Sequence, residues 1–102
     1  MNSDLEIWLD AAGANLLEKI GLKPGDRVLD FGCGLGHYSI PAAQVVGERG
    51  RVYALDKERN ELSQLEKSAS EKGLSNIETQ LTSGEQRVNL PDQSVVTIKD
   101  IC

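Results

Sequence analysis

No apolar run in the sequence approaches the ~20 residues needed to cross a bilayer, and no positively charged start leads into an apolar core. The expectation is a soluble, unsecreted protein with no membrane partner. Cysteine is scarce: Cys33 and Cys102 supply neither a disulfide framework nor a metal-ligand spacing, which suits a reducing cytoplasm and no bound metal. Basic residues are in the minority. Eleven Lys and Arg against sixteen Asp and Glu leave a net charge of -5, and they do not cluster into the stripe that tracks a phosphate backbone. Nucleic acid is disfavoured as a partner, while remaining open as a substrate. Repeats, low-complexity tracts and linkers are also lacking, and 102 residues at 39% hydrophobic content suffice for one modest core. A single domain over 1–102 is expected.

What is present is a regular alternation. Leu5, Trp8, Leu9, Ala12, Leu16 and Ile20 recur at three-and-four spacing as one helical face, with Ser3 and Glu6 in the form of a capping box and Gly21 as the stop. Pro24 and Gly25 turn the chain into a strand at 27–31. A helix over 37–46 follows, with Pro41 in its first turn and Gly47 at its end. The strand 51–55 then leads to a charged helix over 57–72, whose inner stripe is Leu62, Leu65 and Ala69 and whose stop is Gly73. Residues 77–81 and 94–101 read as third and fourth strands, separated by a polar, turn-rich stretch at 83–93. Strands alternating with helices imply an α/β fold with a doubly wound, mostly parallel sheet and right-handed crossovers. Ligands of such sheets sit past the carboxyl ends of the strands, at the point where the winding reverses.

The segment Val28-Leu29-Asp30-Phe31-Gly32-Cys33-Gly34-Leu35-Gly36 places three alternating glycines directly after a strand. Without a Cβ, Gly32, Gly34 and Gly36 let the backbone take positive φ and approach a ligand closely, while the next helix aims its first amides at the same spot. A second acid, Asp56, closes the next apolar run about 20 residues on, where nucleotide-binding folds place the carboxylate that grips ribose hydroxyls. The dinucleotide pattern G-x-G-x-x-G would need a third glycine at His37, so a nicotinamide-dependent oxidoreductase is counted against. The sequence instead resembles D-x-G-x-G-x-G, the first motif of the class I S-adenosylmethionine-dependent methyltransferases. Gly21-Leu22-Lys23-Pro24-Gly25-Asp26-Arg27 leads into the strand as in many of these enzymes, Asp56 falls on their second-strand acid, and Leu90-Pro91-Asp92-Gln93-Ser94-Val95-Val96 is similar to their approach to the fourth strand. The likeness extends over most of residues 20–102.

The resemblance implies S-adenosyl-L-methionine as cofactor, cradled by Gly32, Cys33, Gly34 and Gly36. Asp30 would meet its methionyl end, directly through the loop amides or through water, and Asp56 would accept from both ribose hydroxyls. A turn-capping role for Asp30 and an N-cap role for Asp56 are the alternatives. Lys57 would flank the adenine with its stem, and Gly84 and Glu85 fall where the family meets the adenine amino group. Cys33 is otherwise a small filler with no base beside it, and His37 and Tyr38 are not expected to be catalytic. A complete member has seven strands, whereas this chain reaches the fourth, with Val96 at a position the family gives to aspartate. The expectation is thus an incomplete, cofactor-binding portion, inactive alone, toward an unknown methyl acceptor for which a small molecule or protein is favoured. A non-catalytic nucleotide-binding or interaction module is the alternative. The last strand, at a bare sheet edge, would invite a homodimer.

Overall fold

A computed structural model of the chain describes residues 7–32, 36–82 and 96–97. Four strands, β1 (Arg27–Phe31), β2 (Arg51–Asp56), β3 (Ile77–Leu81) and β4 (Val96–Thr97), form a sheet of order β3-β2-β1-β4 in which every pairing is parallel. The chain winds outward from β1 through β2 to β3, then returns to the far side of β1 at β4. This reversal is the doubly wound arrangement, and it puts the switch point at β1. Register aligns Val28 with Val52 and Val96, Asp30 with Ala54, and Val52 with Ile77. Strand β2 is buried from Val52 to Asp56, so it reads as an unbroken apolar run rather than an alternating one.

Among the described residues three α-helices accompany the strands: α1 (Gly13–Lys19), α2 (Ser39–Val46) and α3 (Arg59–Glu71). Helix α2 is buried on nearly every side because it lies between sheet and α1, its Ala42, Ala43, Val45 and Val46 meeting Val28 and Val52 below and Leu17 above. Leu62 and Leu65 of α3 close on Ala54 and Ile40. Full burial of a side chain such as Leu17 or Leu65 is worth roughly 2 kcal/mol, and the two clusters supply most of what holds the helices to this face of the sheet. Helices α1 and α3 end alike. Gly21 and Gly73 donate to Glu18 and Ser70, while Leu22 and Leu74 reach back to Leu17 and Ala69, so a glycine turn and an apolar contact stop each helix together.

The first helical face differs from the expected one. Ala12, Leu16 and Ile20 are exposed, and Gly13 and Leu17 are buried instead. A π-helical turn over Trp8–Ala12, closed by Gly13 N–H donating to the Trp8 carbonyl, inserts one residue and rotates everything after it by about 100°. The expected capping box at Ser3 and Glu6 lies outside the described residues, as do 83–95 and 98–102. The other boundaries move less: α2 begins at Ser39 rather than 37, α3 at Arg59 rather than 57, and β2 runs one residue further to Asp56.

Strand β4 ends the described sheet on one side and β3 on the other. Strand β3 is dressed with polar partners: Arg51 Nη2 donates to Glu78 at 3.1 Å, Gln80 to the same carboxylate at 3.1 Å, and Thr79 to Glu66 at 2.7 Å. The Gln80 amide first, then Arg51, hold the Glu78 carboxyl below its ordinary range. Such a border discourages pairing with another strand.

At the amino ends of the strands, buried Asn76 ties β3 to the end of α2, its Nδ2 donating to the carbonyls of Ala43 at 2.9 Å and Gly47 at 2.8 Å. Each carbonyl also accepts a backbone amide, Ala43 from Gly47 at 3.1 Å and Gly47 from Gly50 at 3.0 Å, so the Asn76 amide is a second donor to both. Asn76→Ala is expected to cost about 2–3 kcal/mol in urea denaturation, with the strand and helix content of the folded state unchanged by circular dichroism.

Candidate functional site

The carboxyl ends of β1 and β2 bring two acids together. Asp30 pairs in register with Ala54, and Asp56 lies two residues beyond Ala54, so both carboxylates stand on the sheet face that α2 and α3 cover. Both are buried, at 5% and 7% exposure. The Ser39 hydroxyl, fully buried at the start of α2, donates to Asp30 Oδ2 at 2.5 Å. Burial pushes the Asp30 carboxyl above its ordinary value; the Ser39 hydrogen bond opposes the shift and the neighbouring Asp56 charge adds to it. Asp56 Oδ1 accepts the Glu58 amide at 2.9 Å, which orients the carboxylate as the strand ends.

Between these acids the backbone turns. Gly32 follows β1 with φ 65°, its amide still donating to Leu55 at 2.8 Å, and open space lies where a Cβ would stand. Gly36 has φ 90° and no such space: a Cβ would lie 2.2 Å from Leu65 Cδ1. The two glycines therefore serve different ends. One leaves a surface that a ligand can approach, and the other seats the turn on α3.

Methyltransferase domain is the family whose model matches residues 22–101, most of the chain. The chain belongs to the class I S-adenosylmethionine-dependent methyltransferases. It is 42% identical over 60 residues to a probable cobalt-precorrin-6B C(15)-methyltransferase (decarboxylating) of Saccharolobus solfataricus, a match covering 59% of this chain and 30% of that protein. With a demethylmenaquinone methyltransferase of Geobacillus kaustophilus it shares 30% identity over 80 residues, 78% of this chain and 34% of the relative. The solved structure of a SAM dependent methyltransferase from Aquifex aeolicus superposes with a TM-score of 0.71 at 35% identity, covering 81% of this chain and 44% of that one. The chain spans about a third of the length of these curated relatives.

Of the residues expected at a cofactor site, Asp30, Gly32, Gly36 and Asp56 come together at the switch point, and exposed Lys57 follows directly in the bend after β2. Cys33, Gly34, Gly84 and Glu85 lie outside the described residues. Asp56 is not the N-cap of α3. Glu58 takes that position, in extended conformation, and Asp56 binds its amide from two residues back. His37 precedes α2 rather than opening it. Ser39 went unread in the sequence; its signal is a hydroxyl three residues after the last glycine, within reach of the strand-end acid.

Two outcomes follow from this geometry. Gly32→Ala meets only backbone strain and is expected to cost about 1 kcal/mol, whereas Gly36→Ala adds a clash with a side chain that is itself fully buried and should cost about 2–4 kcal/mol in urea denaturation. The second concerns pH. A carboxyl raised in the folded state binds more protons than in the unfolded chain, so its ionisation lowers stability as pH rises through the shifted value. Asp30→Asn, which keeps an acceptor for Ser39, should therefore melt above the parent at pH 7, and the gap should close as pH falls below about 4.

Proposed function

We propose that the chain is the cofactor-binding part of a methyltransferase that holds S-adenosyl-L-methionine across the carboxyl ends of β1 and β2. The observation that carries this reading is the pair of buried carboxylates on one face of adjacent parallel strands, at the reversal of the winding. Two acids whose charges already oppose one another favour a ligand that brings hydrogen-bond donors and positive charge. The cofactor has both, in its ribose hydroxyls, its ammonium and its sulfonium. Pyrophosphate has neither.

In this reading Asp56, oriented by the Glu58 amide, accepts from the ribose, and Asp30, held by Ser39, faces the methionyl end. Gly32 lets the backbone approach, and Lys57 lies alongside the adenine; Cys33, Gly34, Gly84 and Glu85 keep the cofactor contacts that the family resemblance implies. Bound there, the cofactor supplies an electrophilic methyl group on sulfur, and the chain's own residues supply orientation. The acceptor is proposed to be a small molecule or a protein. The relatives are named for a cobalt-precorrin and a demethylmenaquinone, so a shared portion that makes up about a third of each of them is a poor carrier of acceptor choice. A cytoplasmic setting belongs to the same proposal; among the described residues no helix is long and apolar enough to cross a membrane.

Calorimetric titration with S-adenosylmethionine, S-adenosylhomocysteine and NAD tests the reading. The first two should bind and NAD should not. Asp56→Asn keeps an acceptor for Glu58 but loses the charge that both ribose hydroxyls share, so S-adenosylhomocysteine should bind about ten- to a hundredfold more weakly with the circular dichroism unchanged. Preference for NAD, or equal affinity in parent and variant, would sink it.

A further inference from the structure

We infer that Trp8 is a positioning residue for the cofactor, its indole tying the N-terminal helix to the turn by which the glycine-rich segment enters α2. The inference rests on the proposed cofactor site. The Trp8 Nε1–H donates to the His37 carbonyl at 2.5 Å, across 29 residues of sequence. Its ring meets Tyr38 edge to face, with centroids 5.6 Å apart and planes at 83°. Beneath them Gly13 packs so closely that an added Cβ would stand 2.7 Å from Pro41 Cγ and 2.8 Å from Trp8 Cε2. His37 and Tyr38 of the turn and Pro41 of α2 are thus engaged by one short piece of helix.

The π-helical turn is what makes this engagement geometrically available. In a regular α-helix the residues sharing a face with Trp8 would be Ala11, Ala12 and Asn15, all exposed here, whereas the inserted residue puts Gly13 and then Leu17 on its side. The same rotation carries Leu16 and Ile20 outward.

Anchoring the His37 carbonyl has a consequence one atom further on. The peptide is planar and trans, so fixing the direction of His37 C=O fixes the opposite direction of Tyr38 N–H. On the inner side of the turn Gly36 sits against Leu65, with its carbonyl accepting Ile40 N–H at 3.0 Å. The turn is gripped from α3 within and from Trp8 without. Whatever orders it for the cofactor also favours a docked N-terminal helix, and the coupling runs equally in both directions.

The chain's single tryptophan makes the coupling visible. Titrating the 102-residue protein with S-adenosylhomocysteine should change Trp8 emission along a saturating curve that gives the same Kd as calorimetry. Trp8→Phe keeps a ring against Tyr38 but lacks the donor, and should weaken S-adenosylhomocysteine about three- to tenfold, the factor that one hydrogen bond is worth. Leu16→Ala, on the exposed side of α1, should leave the affinity unchanged. A parent that binds by calorimetry while its emission stays flat would overturn the inference without any variant. So would a folded Trp8→Phe protein with parental affinity, since a merely structural tryptophan would lower the melting temperature alone. A parent that shows no calorimetric binding would instead remove the proposed cofactor site, and this coupling with it.

Discussion

The hydrogen bond from Ser39 to Asp30 joins the start of α2 to the end of β1 and encloses the whole glycine-rich turn between its two ends. A buried carboxylate is costly unless something meets its charge, and a neutral hydroxyl meets it only in part. Burial is what raises the Asp30 carboxyl despite its hydrogen bond, and the neighbouring Asp56 charge adds to the shift. Strain of this electrostatic kind is tolerable in a folded protein when a ligand relieves it. On the proposed reading, the two acids are a site held ready for a cationic, donor-rich molecule at the expense of stability in its absence.

Helix α2 transmits that readiness to the rest of the fold. Its first turn is fixed by Ser39 on Asp30 and, just before it, by Trp8 on the His37 carbonyl. Its last turn is fixed by Asn76, which reaches two of its closing carbonyls from the foot of β3. Between these ends Ile40, Ala42, Ala43 and Val46 are fully or almost fully buried, so the helix has little freedom to slide along the sheet. A site hung on an element pinned at both ends keeps its geometry through packing rather than through loop order.

Much of this was legible in the sequence, because the features that carried it are local. Strands β1 and β3 and the stops at Gly21, Gly47 and Gly73 follow from apolar runs and glycine punctuation, and Leu62, Leu65 and Ala69 follow from helical spacing. The strand-end acids were legible for the same reason, since each closes an apolar run. What escaped was set by contacts distant in sequence. Periodicity assigned Leu16 and Ile20 to the core because it assumes 3.6 residues per turn throughout, and one inserted residue at the Trp8 turn defeats that assumption. Ser39 and Asn76 carry no periodic signal at all. Their partners lie 9, 29 and 33 residues away, and only the folded chain shows that a small polar residue at those places has a carboxylate or a helix end to serve.

The distribution of legible and illegible residues also bears on the methyl acceptor. Strand order β3-β2-β1-β4 places the switch point beside β1, where Asp30, Gly32 and Asp56 border the position proposed for the cofactor and Gly36 seats the turn on Leu65. Relatives named for a cobalt-precorrin and a demethylmenaquinone share this portion at 42% and 30% identity although their named acceptors have little chemistry in common. A constraint common to them must be one that the acceptor does not set. Burial of two acids, a turn seated on Leu65 and a helix pinned at both ends are constraints of that kind, since each belongs to the proposed cofactor site or to the packing beneath it. On the proposed reading, acceptor choice is set by surfaces outside the matched portion, which covers about a third of each relative.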